Sequence, residues 1–166
     1  MANYTFDILQ SDVFDRISAL THYTGSKKTE DSSAYDRIST IDANDEILSR
    51  FWLQAVVQLE IFISPFANNI LSEKTIEGSA TAGIFACLSM PSSWDNKLLP
   101  ALRQASENYL VARIAELWFR MTDKEAVAEQ MADASASATE IRILLHSKTR
   151  PALPQDYLDC ECTTHN

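Results

Sequence analysis

Glycine is scarce, with three residues in 166, at positions 25, 78 and 83. Dinucleotide-binding and P-loop fingerprints both need closely spaced glycines at the entry to a helix, so nucleotide binding by either route is excluded. Prolines number only five, and a chain with so little punctuation favours long helices over a many-turned β sandwich. The three cysteines, Cys87, Cys160 and Cys162, are an odd count. A bridge between positions 160 and 162 would close a strained ring, so reduced thiols are expected in place of a disulfide framework. Basic side chains are in deficit, 14 against 23 acidic ones, for a formal net charge of −9. That field repels polyanions and leaves no electrostatic footprint for duplex DNA. Lys27-Lys28 is a lone basic pair, and Arg142, Lys148 and Arg150 fall where a helix C-terminus favours cations. No run approaches the roughly 18 apolar residues that span a bilayer, and Met1 to Gln10 lacks the basic and apolar regions of a secretion signal. The expectation is a protein that is cytosolic at synthesis and does not enter membranes.

What is present suits one globular domain. Apolar residues make up 46% and charged residues 22%, and a chain of this length buries roughly 70% of its unfolded surface. The first ten residues alternate Tyr4, Phe6 and Ile8, which reads as an extended arm over 1–10. A first helix follows, with Ser11 as its cap, a stripe of Val13, Phe14, Ile17 and Leu20, and a stop at Gly25. Residues 25–39 are polar and non-periodic, a mobile loop with a short helical turn near Tyr35.

The second helix is the clearest. Capped by Asp42 or Asn44, it carries Ile47, Leu48, Phe51, Ala55, Val56, Leu59 and Phe62 at steps of three and four from about 43 to 63, ending before Pro65. Trp52, Ile61 and Ile63 widen its apolar arc, so it is expected to be buried on two sides, within one subunit or against a second. Residues 68–90 hold two β-prone runs around Gly78, a hairpin insert in which Cys87 acts as a small buried hydrophobe. The third helix opens at Asp95 or Asn96, tolerates Pro100 in its first turn and ends in Trp118-Phe119. Thr122 and Glu125 have the spacing of a capping box that starts a fourth helix at Asp123. That helix is rich in alanine and serine from 126 to 138, a surface that another backbone can approach closely, within the subunit or between subunits. Pro151 and Pro154 end it, and 150–166 reads as an extended tail.

The fold class is therefore mainly α: a four-helix core over 11–149 with a long hairpin of the third and fourth helices, a small β-hairpin insert, and extended termini.

Catalytic, cofactor-binding and metal-binding residues are all read as none. His22, His146 and His165 lack the i, i+4 spacing that would set two imidazoles on one metal. Cys160, Cys162 and His165 form the single metal-like cluster, but without the two-residue spacer or a second half to close a tetrahedron, and a plain tail accounts for them. Asp42, Asp45 and Glu46 complement a helix dipole. No motif sets a base beside a serine or cysteine. The chain is expected to bind proteins and not to catalyse a reaction.

The layout from 11 to 147, with Asp-Glu-Ile-Leu at 45–48, Ile-Ser-Pro-Phe-Ala at 63–67 and Ala-Glu-Leu-Trp-Phe at 115–119, resembles the head-to-tail connector proteins of tailed bacteriophages. The β-prone insert and the cysteine-bearing tail depart from the simplest of these. The resemblance implies a virion protein at the head-tail junction, assembled in the host cytoplasm as a ring of about twelve copies with cyclic symmetry. It further implies a portal protein above, tail or stopper proteins below, no cofactor, and DNA that passes without specific binding. A second reading is a monomeric helical module that regulates or inhibits a cytosolic partner, gripping it through Trp94, Trp118 and Phe119.

Overall fold

The alternation of Tyr4, Phe6 and Ile8 with Asn3, Thr5 and Asp7 makes a strand with one buried and one exposed face. This strand, β1 (Ala2–Leu9), is paired along its whole length and is no free arm. The computed structural model describes residues 1–28, 33–40, 45–72 and 82–149. β1 lies antiparallel to β3 (Gly83–Met90), with Ala2 opposite Met90 and Leu9 opposite Gly83. β2 (Ala67–Ser72) flanks the other side of β3, also antiparallel, so the order is β1-β3-β2. The expected insert thus supplies two strands of a three-stranded sheet, and the N-terminal residues supply the third. Phe6, Ile8, Ile84, Ala86, Leu88 and Met90 turn into the core, as a period of two requires of a sheet with one covered face. The turn expected at Gly78 lies outside the described residues. Gly83 sits where the backbones converge: a Cβ there would lie 2.7 Å from the Ile8 carbonyl oxygen, a separation that only glycine permits.

α1 (Gln10–Lys27) continues directly from β1, without a side-chain cap. Ser11 is not the expected cap, because Leu9 already occupies the extended N-cap position and the freed Gln10 N–H donates to the Ala82 carbonyl at 3.0 Å. Gly25 is likewise no stop. The helix runs two residues further, to Lys27, and Gly25 instead gives α2 (Ala34–Ile38) room to cross, with the Tyr35 Cα 3.1 Å from where a Cβ would be. The expected mobile loop therefore contains, among its described residues, the last turn of α1 and the short helix near Tyr35. Thr21 and Thr40, both buried, join their hydroxyls at 3.2 Å where this crossing meets the core.

α3 (Asp45–Ile63) ends in a 3-10 turn, Ser64–Phe66, that accommodates Pro65. Its expected caps, Asp42 and Asn44, lie outside the described residues. Asp95 opens the next helical segment by accepting the Lys97 N–H at 3.1 Å, and α4 (Leu99–Thr122) follows with Pro100 in its first turn. α5 (Val127–His146) packs back along α4. The Thr122/Glu125 capping box does not form. The Thr122 hydroxyl donates to the Trp118 carbonyl at 3.1 Å, and the Asp123 carboxylate accepts the Glu125 N–H at 3.2 Å, so the helix starts at Val127. Asp123 wins because it is buried and already anchored by the Lys28 ammonium at 2.7 Å. The result is mainly helical with a small antiparallel sheet, as the sparse glycines and helical periodicities indicate.

α4 is the spine of the core. Leu102, Leu110, Ile114, Ala115 and Phe119 are essentially inaccessible, and α1, α3, α5 and β1 all pack against this helix.

Candidate interaction surface

The aromatic anchors expected for a gripping surface are inside. Trp94, Trp118 and Phe119 are all buried. The Trp94 indole N–H donates to the Leu144 carbonyl at 2.9 Å, and that of Trp118 to the Ile38 carbonyl at 2.7 Å. Both indoles thus serve as polar stitches in the core, and none of the three residues can meet a partner.

Cys87 is only partly buried, contrary to the expected core position, because it shares the outer face of β3 with Phe85 and Ser89, opposite Thr5 of β1. His146 occupies the last turn of α5, as the dipole favours, with its ring edge-on to Phe66 at 5.1 Å. His22 donates from Nε2 to the Thr40 carbonyl at 3.2 Å. Of the basic residues, Lys27 lies over the Tyr23 ring at 4.1 Å and Arg142 over the Phe62 ring at 4.9 Å. Lys28 bridges Asp123 and Glu125, and these hydrogen bonds hold its ammonium above the ordinary lysine value. Cys160, Cys162, His165 and Arg150 lie outside the described residues. Among the described residues, no group of three histidine, cysteine or acidic side chains converges on a point that could hold a metal.

One buried carboxylate stands out. Glu116 is 1% exposed and accepts from Arg113 on one oxygen and from Arg120 on the other, the latter at 2.5 Å. Arg113 also donates to Gln58 Oε1 at 2.8 Å, and the Tyr109 hydroxyl donates to the same oxygen at 3.1 Å. Burial pushes the Tyr109 phenol above its ordinary range; the Arg113 charge opposes that shift and Glu116 adds to it. Each member finds partners within the cluster, so its evident work is to brace α3 against α4.

α3 presents a second apolar face. Leu48, Trp52, Val56, Leu59 and Ile63 point inward, whereas Leu53, Val57 and Ile61 follow one another outward at steps of four, with Ile47 a turn and a half before them. Val57 is 57% exposed and Ile61 65%. The two-sided apolar arc read from the sequence is therefore real, but within one chain only one side is covered. It also corrects the reading that no segment could span a bilayer: residues 46–66 are long and apolar enough by length and composition, with a third of the stretch buried. Averaged over both faces, the two sets of apolar residues outweigh the interrupting charges of Glu46, Arg50 and Glu60. Where α3 ends, a cavity of about 340 Å3 opens between Ile61, Phe62, Phe66, Arg142 and His146.

A second concavity of about 510 Å3 runs between α1, α4 and α5. Arg16 stands on one wall, tied to Glu107 at 2.7 Å and to Asn108 at 2.9 Å. Glu129, Asp133 and Glu140 line the other wall. These three carboxylates are absent from the sequence-based expectations; their spacing of four and seven along α5 is a signal that sets them on one side of the helix, but nothing in the sequence indicates that α1 would face them.

Comparison with protein-family models, with curated proteins and with solved structures found no match to this chain.

Proposed function

We propose that the protein is a structural assembly subunit that works by packing against copies of itself and against neighbouring proteins, as a head-to-tail connector ring beneath a phage portal does. One observation carries the reading: the outward stripe of Leu53, Val57 and Ile61 on α3. Contiguous apolar surface on a helix that already has a covered inner face suits an interface between proteins. Gln58, on the same helix, is committed to Tyr109 and Arg113, which ties α3 into its own domain and favours a protein neighbour over a lipid one. The resemblance supplies the particulars of ring, portal and stopper, and net negative charge is compatible with DNA sliding through such a ring without counterion-release binding. The reading as a monomeric regulator has lost its anchors, since Trp94, Trp118 and Phe119 are enclosed.

Light scattering at increasing concentration, alone and with a portal ring, tests the proposal. The expected outcome is self-association or portal capture by the native chain, abolished by Val57→Asp with Ile61→Asp. These exposed positions leave folding stability within about 0.5 kcal/mol. A native chain that stays monomeric and ignores portal sinks the reading.

A further inference from the structure

The groove between α1, α4 and α5 carries features that the α3 face does not explain. Glu129, Asp133 and Glu140 project along it from α5, all exposed and, among the described residues, without a cationic partner. Arg16, the cation on the facing wall, is already neutralised by Glu107. At the floor lies Gln130, 6% exposed, whose side-chain amide has no hydrogen-bond partner among the described residues. Neither of its amide atoms is sealed from water, so what access the residue keeps is through the groove. A glutamine enclosed to this degree ordinarily finds a partner. Here the open space beside it is where one would come from.

We propose that this groove binds a short basic segment of another polypeptide, its lysine or arginine side chains paired with Glu129, Asp133 and Glu140 and its backbone with Gln130. Three features select that occupant. The carboxylates do not converge on one point, which removes a metal ion. From 129 to 140 the helix rises roughly 16 Å, a distance that an extended peptide covers in about five residues. Two or three basic side chains within such a stretch meet the ladder. Finally, a carboxamide offers one acceptor and one donor group together, the complement of a peptide unit, whereas a polyamine offers donors alone. Ala136 and Ser137, small residues on the same wall, let a backbone lie close. The inference is independent of the α3 face and survives if the chain proves monomeric.

The test uses the full chain and a fluorescent pentapeptide with lysine at alternate positions, compared with its glutamate counterpart and with spermine, by anisotropy at low and moderate salt. The lysine peptide is expected to bind and the glutamate peptide to fail. Glu129→Gln with Asp133→Asn and Glu140→Gln should weaken binding roughly tenfold or more. Gln130→Leu should weaken the peptide while leaving spermine unchanged. Thermal melts of both variants report whether folding is intact, and exchange of the α5 amides on peptide addition locates the site without any variant. Absence of lysine-peptide binding overturns the proposal. So does equal binding by the triple variant, or peptide binding left unchanged by Gln130→Leu, which would reduce the groove to a diffuse negative field.

Discussion

The Trp118 indole N–H lies 2.7 Å from the Ile38 carbonyl oxygen, a polar contact inside the core by which the last turns of α4 hold the end of α2, beside the Arg37 Nε–H that donates to the Thr122 carbonyl at 3.2 Å on the surface. The Ile38 carbonyl has no water to turn to if the indole is removed. Trp118→Phe keeps most of the apolar ring and deletes the donor, and should cost about 1–3 kcal/mol. Urea unfolding of the two proteins measures it, and coincident midpoints would show that the Ile38 carbonyl finds another donor.

Gly83 makes the sheet sensitive to one methyl group. Gly83→Ala puts a Cβ 2.7 Å from the Ile8 carbonyl oxygen, against backbone that cannot swing aside. Separation of β1 from β3 at this end is expected, with a stability loss of about 1–3 kcal/mol. Amide exchange should quicken in Phe6 to Leu9 before it does in α4; unchanged protection of β1 would refute the clash.

Glu116 depends on both of its arginines. Glu116→Ala leaves Arg113, itself mostly covered, beside a void, and a loss of about 2 kcal/mol is expected. Arg120→Ala removes a half-exposed partner and should cost less than about 1 kcal/mol. Equal losses in the two variants would contradict the asymmetry of burial.

Alkaline pH should loosen the molecule. Tyr109 holds its proton more tightly when folded, because burial disfavours the phenolate. An unfolded tyrosine gives up its proton near pH 10. Its contribution is therefore complete below about pH 10 and is lost as pH rises through the higher folded value. Lys28 behaves with the same sign, since Asp123 and Glu125 hold its ammonium above the ordinary value. Urea midpoints should fall as pH climbs past about 10, and Tyr109→Phe should make that fall shallower. A fall of the same steepness in the variant would acquit the tyrosine.

Local periodicity carried most of the helices. The steps of three and four in α3 and the entry of α4 at Asp95 and Pro100 depend on neighbours within a turn or two, and both were legible in the sequence. Signals that depend on a distant partner misled. Thr122 and Glu125 have capping-box spacing, but Lys28 fixes Asp123 as the competing acceptor. Gly25 looks like a terminator, and its want of a Cβ serves the crossing of α2 instead. The N-terminal alternation announces a strand without naming β3 as its partner. As for the surfaces, the width of the α3 arc was visible, whereas which side faces out was not. The α1/α4/α5 groove exists only because of how three helices meet, so no single stretch of residues could signal it.

The pairing of Ala2 with Met90 and of Leu9 with Gly83 closes a long excursion of chain on itself, with α1, α2 and α3 strung between the two strands. Such a clasp has to be made across roughly 80 residues, which delays it relative to contacts within a helix. Until it closes, Phe6, Ile8, Ile84 and Leu88 lack the cover that the finished core gives them. Trimming residues from the first strand would leave β3 with an open edge and uncover the apolar side chains beside it.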